Sequence, residues 1–431
     1  MVSCPQCEDL PGRNVDAGGV NRETFHMEKW TRFAPAAAGA TLLAAAIAAR
    51  GASYNDVNIV DDDGKSNVGL YTSIAIGSDH LPVISYYDDT ARALKVAHCE
   101  DAACAAPATI SVVDDDASLI EGRYSAIAIG DDGMPVISYQ GDTGASLRVA
   151  KCVDVACALP ATITDLDTPA GITGTFTSIA IGNNGRPVVS YTDDGLKVAR
   201  CANAQCTGTA AVTLVDPGAP LNGYHTSIAI GLDGLPIVSY YDLSNTSLKT
   251  VKCANPACSS SLVLDTVDAG DVGEYTAIGV RDDDGIPVIA YHDAGNGALK
   301  LAICAAADCA DPPTLLALYA VPGETAGVYV DMALANSGRP FISHHNETAN
   351  TLVLTTCLSK ACTDGIVSTE LDRGALAAAP LGEYTSIAIG PDHMPVISYH
   401  DAFTGSLKVV HCRARSCDGV FRDDFEGGGT T

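Results

Sequence analysis

The chain contains little tryptophan, few basic residues and none of the short motifs that mark common active sites. Its only tryptophan is Trp30, and 25 lysines and arginines stand against 52 aspartates and glutamates, a formal net charge of −27 at pH 7. Because no basic cluster is present, we expect no nucleic-acid partner and no attraction to an anionic membrane. There is no Gly-x-Ser-x-Gly elbow, no His-Glu-x-x-His and no phosphate-binding glycine loop, so no common catalytic motif assigns a reaction.

What the chain does contain is a repeat of about fifty residues that occurs seven times. Each copy opens like Tyr71–Gly77, continues through a Pro-Val-Ile-Ser-Tyr stretch and a Leu-Lys-Val-Ala stretch, and ends in two cysteines with four residues between them. These segments are short, rich in Val, Ile, Thr and Tyr, and separated by Gly, Pro and Asp, which predicts strands rather than helices. The third residue of the opening stretch, Ser in most copies, falls at Ser73, Ala126, Ser178, Ser227, Ala277, Asp331 and Ser386.

Each repeat predicts four strands, which in the first copy are Tyr71–Ile76, Pro82–Tyr87, Leu94–His98 and Thr109–Val113. Four-stranded sheets repeated around an axis form a β-propeller. The expected fold is therefore all-β, a seven-bladed β-propeller over residues 54–420. The last copy has no fourth strand, whereas residues 56–61 resemble one and precede the first repeat. We therefore predict that this N-terminal strand completes blade seven and closes the ring.

Fourteen of the sixteen cysteines form seven Cys-x4-Cys pairs, each across the turn between the third and fourth strands. A disulfide within each pair is the favoured interpretation, because zinc needs four ligands and each pair lies alone on its blade. The predicted disulfides are Cys99–Cys104, Cys152–Cys157, Cys201–Cys206, Cys253–Cys258, Cys304–Cys309, Cys357–Cys362 and Cys412–Cys417.

The two ends of the chain predict export. A charged start at residues 27–32, an apolar stretch at 33–49 and small residues at 50–53 are typical of a signal peptide. Residues 1–26 are then interpreted as a mis-annotated extension, and 421–431 as an acidic, glycine-rich tail. Disulfides indicate an oxidising compartment. We expect a secreted, periplasmic or outer-surface protein of a Gram-negative bacterium that is a monomer and has no membrane insertion after signal cleavage.

In a propeller, the turns between the first and second strands share one face with the disulfides. The connections between the second and third strands, and between blades, share the other face, called here the loop face. Loops carry most functional residues, and copies five to seven place histidines and acids there. The candidate ligand-binding residues are His292, His344, His345, His400, Asp293 and Asp401. Neutral imidazoles suit metal binding or proton transfer, although drift at an exposed position would give the same pattern.

Aspartates also end the second strand in most copies. They are interpreted first as caps of the following turn and second as Ca²⁺ ligands, with Asp88, Asp193 and Asp242 as the candidate metal-binding residues. A carboxylate pair acting on a glycan is the third interpretation. No cofactor is required by any motif, and Ca²⁺ is the one that these oxygens would bind.

The pattern Ser-Ile-Ala-Ile-Gly-x-Asp-Gly-x-Pro-Val-Ile-Ser-Tyr…Leu-Lys-Val-Ala over residues 71–417 resembles the repeats of secreted bacterial propellers in the sialidase-like superfamily. The resemblance implies the fold. It implies no activity, because the Ser-x-Asp-x-Gly-x-Thr-Trp box is missing and Arg92, Arg123 and Arg373 are scattered. The first hypothesis is accordingly a non-catalytic binding or scaffold module for a surface glycan or protein. The alternatives are a glycan-active hydrolase or lyase with its site on the loops of blades five to seven, and a Ca²⁺-dependent adhesin.

Overall fold

The computed structural model describes residues 55–62, 64, 67–115, 119–141, 146–169, 173–217, 222–260, 262–373, 380–414 and 417. These residues belong to one compact unit, Ala52–Thr431. They form seven antiparallel four-stranded sheets, which confirms the all-β, seven-bladed propeller. The described residues include no helix long and apolar enough to cross a membrane. The expected extension (1–26), signal peptide (27–53) and tail (421–431) lie outside the described residues.

The strands follow one another from the axis to the rim in each blade. Blade 1 contains β2 (Val68–Ile76), β3 (Pro82–Asp88), β4 (Ala93–His98) and β5 (Thr109–Asp114). Blade 2 contains β6 (Arg123–Ile129), β7 (Pro135–Gly141), β8 (Ser146–Lys151) and β9 (Thr162–Asp167). Blade 3 contains β10 (Thr175–Ile181), β11 (Pro187–Asp193), β12 (Gly195–Arg200) and β13 (Ala211–Asp216). Blade 4 contains β14 (Asn222–Ile230), β15 (Pro236–Asp242), β16 (Ser247–Lys252) and β17 (Val263–Ala269).

The remaining blades keep this order. Blade 5 contains β18 (Val272–Val280), β19 (Pro287–Asp293), β20 (Ala298–Ile303) and β21 (Thr314–Tyr319). Blade 6 contains β22 (Ala326–Leu334), β23 (Pro340–Asn346), β24 (Thr351–Cys357) and β25 (Ile366–Arg373). Blade 7 contains β26 (Leu381–Ile389), β27 (Pro395–Asp401) and β28 (Ser406–Cys412), and β1 (Asn55–Asp61) is its outer strand.

The predicted closure is confirmed by the pairing of the first strand with the last. β1 runs antiparallel to β28, from Asn55 opposite Cys412 to Asp61 opposite Leu407. The Arg413 guanidinium also contacts the Asp56 carboxylate at 2.6 and 2.7 Å. Both ends of the described chain therefore build blade 7.

The first strand of blade 1 is longer than predicted because it continues through a bulge. Its register shifts between Leu70 and Ser73, and Tyr71 has a φ of 53°, in the left-handed region that residues other than glycine rarely occupy. Pairing resumes beyond the bulge, so β2 begins at Val68 rather than at Tyr71. The same irregularity recurs in every blade and controls the site described below.

Most of the core lies between neighbouring blades, where each buries apolar side chains from its inner three strands. Six of the seven interfaces add an interblade hydrogen bond in which a buried tyrosine of the second strand donates to an aspartate on the outer strand of the preceding blade, at 2.5–2.7 Å. The six pairs are Tyr86–Asp61, Tyr139–Asp114, Tyr191–Asp167, Tyr240–Asp216, Tyr291–Asp268 and Tyr399–Asp372.

The interface between blades 5 and 6 departs from this arrangement. His344 occupies the place of the tyrosine and Tyr319 the place of the aspartate, with their ring centroids 5.6 Å apart. Burial lowers the pKa of His344 to about 3, so its imidazole is neutral. Its Nε2 lies 3.0 Å from Thr355 Oγ1, and its Nδ1 accepts a hydrogen bond from the Gly327 N–H. The tyrosine–aspartate hydrogen bond of the other interfaces, called here the interblade clamp, is thus replaced by a neutral polar contact.

All seven predicted disulfides are present, with Cα–Cα distances of 4.8–5.1 Å that suit this bond. In blades 1–6 the disulfide closes the turn between the third and fourth strands, and in blade 7 Cys412–Cys417 follows the third strand, β28. In the first copy, Asp101 caps this turn by accepting hydrogen bonds from the backbone N–H groups of Ala103, Ala105 and Ala106. The face opposite the loop face is thus fixed by covalent bonds and short capped turns.

Candidate functional site

The bulge in each inner strand places one aromatic side chain at the axis on the loop face. Seven such side chains, the aromatic collar, surround the mouth of the central channel, and all have φ between 51° and 54°. The collar consists of Tyr71, Tyr124, Phe176, His225, Tyr275, Tyr329 and Tyr384. A left-handed φ that recurs in every blade is a property of the repeat, since the second cysteine of each disulfide shows it too, and at the collar it places the aromatic side chains around the axis.

The collar closes on itself with nearly regular geometry. Neighbouring ring centroids are 4.2–4.9 Å apart and their planes are inclined by 46–54°. This inclination matches the rotation of about 51° between successive blades of a seven-bladed ring, so the ring planes stand parallel to the axis. The collar lines a cavity of about 180 Å³. Burial raises the pKa of Tyr384 to about 12 and lowers that of His225 to about 3, so these groups are neutral.

Below the collar, a layer of buried hydroxyls joins the blades. Thr72 donates to Ser398 at 2.8 Å, and the equivalent pairs recur at other interfaces. Between blades 5 and 6 both partners change together, to Ala290 and Val330, and apolar packing replaces the hydrogen bond. Neither position is left with an unpaired hydroxyl.

Next along the channel, the repeat position of Ser73 holds Asp331 in blade 6. Its Oδ2 accepts hydrogen bonds from Ser386 Oγ and the Ile387 N–H, both at 2.8 Å. Serines accept the equivalent backbone bond elsewhere, as Ser73 does from the Ile127 N–H. Burial raises the pKa of Asp331, and its hydrogen bonds oppose that shift. Asp331 thus substitutes for serine in an interblade bond.

A second cavity, of about 170 Å³, adjoins the collar on blades 6 and 7 and shares two tyrosines with it. We call it the side pocket, and it is lined by Tyr275, Val328, Tyr329, His345, Glu347, Asn350, Pro380 and Glu383. Together the two cavities reach the lower end of the volumes typical of small-ligand sites, about 300–1,000 Å³. The mouth therefore offers a concave surface that is aromatic on one side and acidic on the other.

The acids beside the collar form an acidic wall that contains Asp271, Glu274, Glu347 and Glu383. The charges of the three glutamates all reach Tyr275, whose pKa is raised first by burial and then by these carboxylates. Burial, followed by the charge of Asp271, also raises the pKa of Glu274. Within the described ranges, no lysine or arginine lies within 4.0 Å of any member of the wall, and the nearest basic group is His400 Nδ1, 3.5 Å from Glu383 Oε2.

Three of the four predicted histidines meet at this mouth. His292, His345 and His400 occupy equivalent positions in blades 5, 6 and 7, and each ring centroid lies 6.3–6.4 Å from that of a collar tyrosine. His292 Nδ1 contacts the Ala326 carbonyl oxygen at 2.9 Å, and His400 Nε2 contacts Asn67 Oδ1 at 2.9 Å. Burial lowers the pKa of His292 and of His345. The imidazoles of His292 and His345 are therefore neutral.

The other predicted ligand-binding residues lie elsewhere. His344 lies in the interface between blades 5 and 6, because neighbouring residues of a strand point to opposite sides. Asp293 and Asp401 cap turns, as shown by the Asn296 N–H and Phe403 N–H that donate to them. They also form ion pairs with Lys300 at 3.7 Å and Lys408 at 2.6 Å.

The three candidate metal ligands lie in separate blades and are bound by lysines. Asp88 contacts Lys95 at 2.6 Å and Asp242 contacts Lys249 at 2.7 Å, while Asp193 pairs with Lys197. Asp88 and Asp242 also cap their turns. Within the part of the chain that the structure describes, no group of three or more His, Cys, Asp or Glu side chains is arranged to hold a metal ion.

Sequence reasoning missed the collar and most of the acidic wall. The signal for the collar was present, because every repeat has Tyr, Phe or His two residues before the position of Ser73. The strand pattern hid it, since an aromatic residue in a strand is normally explained by packing. Glu274 and Glu383 directly precede collar tyrosines, and only the bulge brings them to the mouth.

Comparison with known proteins finds distantly similar solved structures and no relative in sequence. No protein-family model matches the chain, and no curated protein matches it. Solved structures that resemble it include a mutant of the NanB sialidase from Streptococcus pneumoniae, at 10% identity and a TM-score of 0.46, covering 84% of this chain and 70% of that one. An α-L-arabinanase from Penicillium chrysogenum gives 12% identity and 0.47, covering 82% and 95%. The polysaccharide lyase Uly1 gives 10% identity and 0.45, covering 79% and 89%.

These matches correct the order of the functional hypotheses. A non-catalytic binding or scaffold module was expected first, yet the three structures named above are a sialidase, an arabinanase and a polysaccharide lyase, all enzymes that act on glycans. The first hypothesis is therefore wrong, and its alternative, a glycan-active enzyme, takes its place. Because a likeness this distant transfers no activity, the activity proposed below rests on this chain's own residues.

Proposed function

We propose that the protein is a glycan-active hydrolase whose site lies at the loop-face mouth, on blades 5–7. The observation that carries this proposal is the contact between the aromatic collar and the acidic wall, since Tyr275 and Tyr329 line both the mouth and the side pocket. Tyrosine provides apolar surface for sugar C–H groups and a hydroxyl for hydrogen bonds. Carboxyl groups beside such a surface supply the acid and the base of glycoside hydrolysis.

The two glutamates that precede collar tyrosines receive different roles. Burial and the charge of Asp271 raise the pKa of Glu274, which favours the protonated form that a general acid needs. Glu383, beside His400, is assigned as the carboxylate that activates water or attacks the sugar. In the net reaction the C–O bond to the leaving group breaks, water supplies a hydroxyl to the anomeric carbon, and the leaving oxygen gains a proton.

A lyase reaction is less well supported by the same residues. Removing a proton next to a uronate carboxylate builds negative charge that needs a cation or a dense set of donors. The acidic wall places further negative charge at that position. Hydrolysis is therefore the reaction that the charge distribution favours.

The test is the release of reducing ends from a panel of neutral, amino-substituted and acidic polysaccharides. We expect turnover on at least one of them, and a loss of about 10²- to 10⁴-fold in kcat for Glu274→Gln and Glu383→Gln. Glu100→Gln is the matched control, because Glu100 lies on the disulfide face, where it accepts a hydrogen bond from Thr109. Absence of turnover on the whole panel, or full activity in both variants, would overturn the proposal.

We also propose that the protein works outside the cytoplasm, because its seven disulfides form most readily in an oxidising compartment. A second proposal is that it is a monomer. Two measurements test these proposals. The mature N-terminus determined from the native source should lie near residue 54, and light scattering should give the mass of one chain. An intact N-terminus with free thiols would contradict export.

A further inference from the structure

We infer that the glycan bound at this mouth carries positively charged amino groups, as in a polymer of unacetylated amino sugars. The inference rests on the proposed function and names its substrate class. It comes from the difference between carboxylates that the fold has paired with cations and those that it has not.

Most inward-facing carboxylates of the repeat have a cationic partner. Lys95 contacts Asp88 at 2.6 Å, and the same pairing recurs in other blades with a lysine of the third strand. In blade 6 the lysine position holds Val353, which faces Glu370 in the sheet. The repeat therefore normally neutralises its buried acids.

The acidic wall lacks such lysine or arginine partners within the described ranges, and it faces the mouth. The Asp271 carboxylate accepts a hydrogen bond from the Tyr241 hydroxyl at 3.2 Å, and Glu383 Oε2 lies 3.5 Å from His400 Nδ1. Among the described residues, Glu274 and Glu347 have no ion-pair partner within 4.0 Å. Glu274 and Glu383 are half-buried and lose part of their hydration, whereas Asp271 and Glu347 are exposed. Carboxylates gathered at one mouth without a lysine or arginine also repel one another. A cationic ligand would remove this cost.

A second and independent observation lies in the side pocket. His345 is 3% exposed and lines this cavity beside the Asn350 side chain, whose contact opposes the effect of burial on its pKa, yet neither ring nitrogen has a hydrogen-bond partner of good distance and angle among the described residues. A buried imidazole without such a bond is costly, and an ammonium or sugar hydroxyl in the pocket would donate to it. Because burial lowers the pKa of His345, the neutral ring accepts a hydrogen bond without repelling an amine.

The same charges disfavour acidic glycans. Arg123, from blade 2, is the basic side chain beside the collar, and it stacks on Tyr87 with its guanidinium carbon 5.5 Å from the ring centroid. It also lies 4.0 Å from Asp89. Blade 2 lies across the axis from the acidic wall. A uronate or sialate at the side pocket would therefore meet several carboxylates and no basic group to bind its own.

The experiment measures binding by calorimetry, with three hexasaccharides as probes: β-1,4-linked glucosamine, its fully N-acetylated form and hexagalacturonate. We expect the glucosamine hexamer to bind at least tenfold tighter than the N-acetylated form, and the galacturonate not to bind. Glu347→Gln should weaken glucosamine binding at least fivefold while leaving the N-acetylated form unaffected. Glu100→Gln changes the net charge equally on the other face and should leave both affinities unchanged. Melting curves of each variant check that it folds.

The outcomes separate this inference from the proposed function. If the N-acetylated or acidic hexamer binds as tightly as the glucosamine hexamer, the inference is overturned, whatever the activity. Equal weakening by Glu347→Gln and Glu100→Gln would also overturn it, because the attraction would then come from net charge. If the expected order of binding is found but no glycan is cleaved, the substrate class stands and the hydrolase proposal fails.

Discussion

The interblade hydrogen bond from tyrosine to aspartate can be tested by removing one hydroxyl. Tyr240 is fully buried, and its hydroxyl donates to Asp216 Oδ2 at 2.6 Å across the interface between blades 3 and 4. Tyr240→Phe removes that donor and leaves the shape of the side chain unchanged. The variant therefore reports the hydrogen bond separately from the packing.

The expected size follows from what remains around Asp216. A hydrogen bond to a charged group contributes about 1.5–3 kcal/mol. Lys249 stays 3.7 Å from Asp216 in the variant, so the carboxylate keeps a cation and the loss lies near the middle of that range, at about 2 kcal/mol. With an unfolding entropy of about 2.1 cal/mol/K per residue over about 360 residues, the Tm falls by about 3 °C.

The assay is a double-mutant cycle of Tyr240→Phe and Asp216→Asn in urea unfolding. Tyr319→Phe is the comparison, because Tyr319 lies at the one interface without the tyrosine–aspartate bond, where its partly exposed hydroxyl donates to Glu324 at 3.0 Å and accepts from Asn346 at 3.3 Å. We expect a coupling energy of at least 1 kcal/mol and a smaller effect for Tyr319→Phe. A coupling energy of zero, with equal effects of the two tyrosine substitutions, would refute the role of the clamp.

Three further predictions concern pH and metal ions. Burial raises the pKa of Tyr86, Tyr139 and Tyr399 well above 10. Their contribution to stability is complete below pH 10 and is lost above it, because the unfolded tyrosines ionise first; each lowers the unfolding free energy by up to about 1.4 kcal/mol per pH unit. Urea unfolding between pH 9 and 11 checks this, and an unchanged stability would contradict it. Asp331→Ser restores the repeat residue and should stabilise the fold at pH 7 by about 1 kcal/mol. Burial raises the pKa of Asp331, so its ionised form costs stability above the folded pKa and the gain should shrink as the pH falls through that pKa. Destabilisation at pH 7 would refute this account. EDTA should leave the Tm unchanged, since lysines already neutralise the aspartates proposed as calcium ligands, and a clear drop would establish a calcium site.

The architecture was predictable because the information is repeated. Seven copies of one strand pattern, seven cysteine pairs and a displaced outer strand at residues 56–61 predict the ring, its closure and its disulfides. Repetition averages out the uncertainty of any single segment. The start of β2 at Val68 was not predictable, because it depends on pairing that resumes beyond the bulge at Tyr71.

The site was predictable only in part. Histidines in the last three copies pointed to the correct blades, and His292, His345 and His400 do meet at the mouth. The two-residue period of a strand could have separated His344 from His345. Nothing in the sequence shows that Asp88 has a lysine partner while Glu347 has none, since that depends on which strands face each other.

The pairing of β1 with β28 determines the order in which the protein can be completed. Asn55 and Cys412 are partners across the whole length of the domain, so the outer edge of the last blade cannot form until nearly all of the chain has emerged from the ribosome. A chain exported during synthesis would reach its destination with the ring still open. In such a chain, folding would finish only after transport, when β1 pairs with β28.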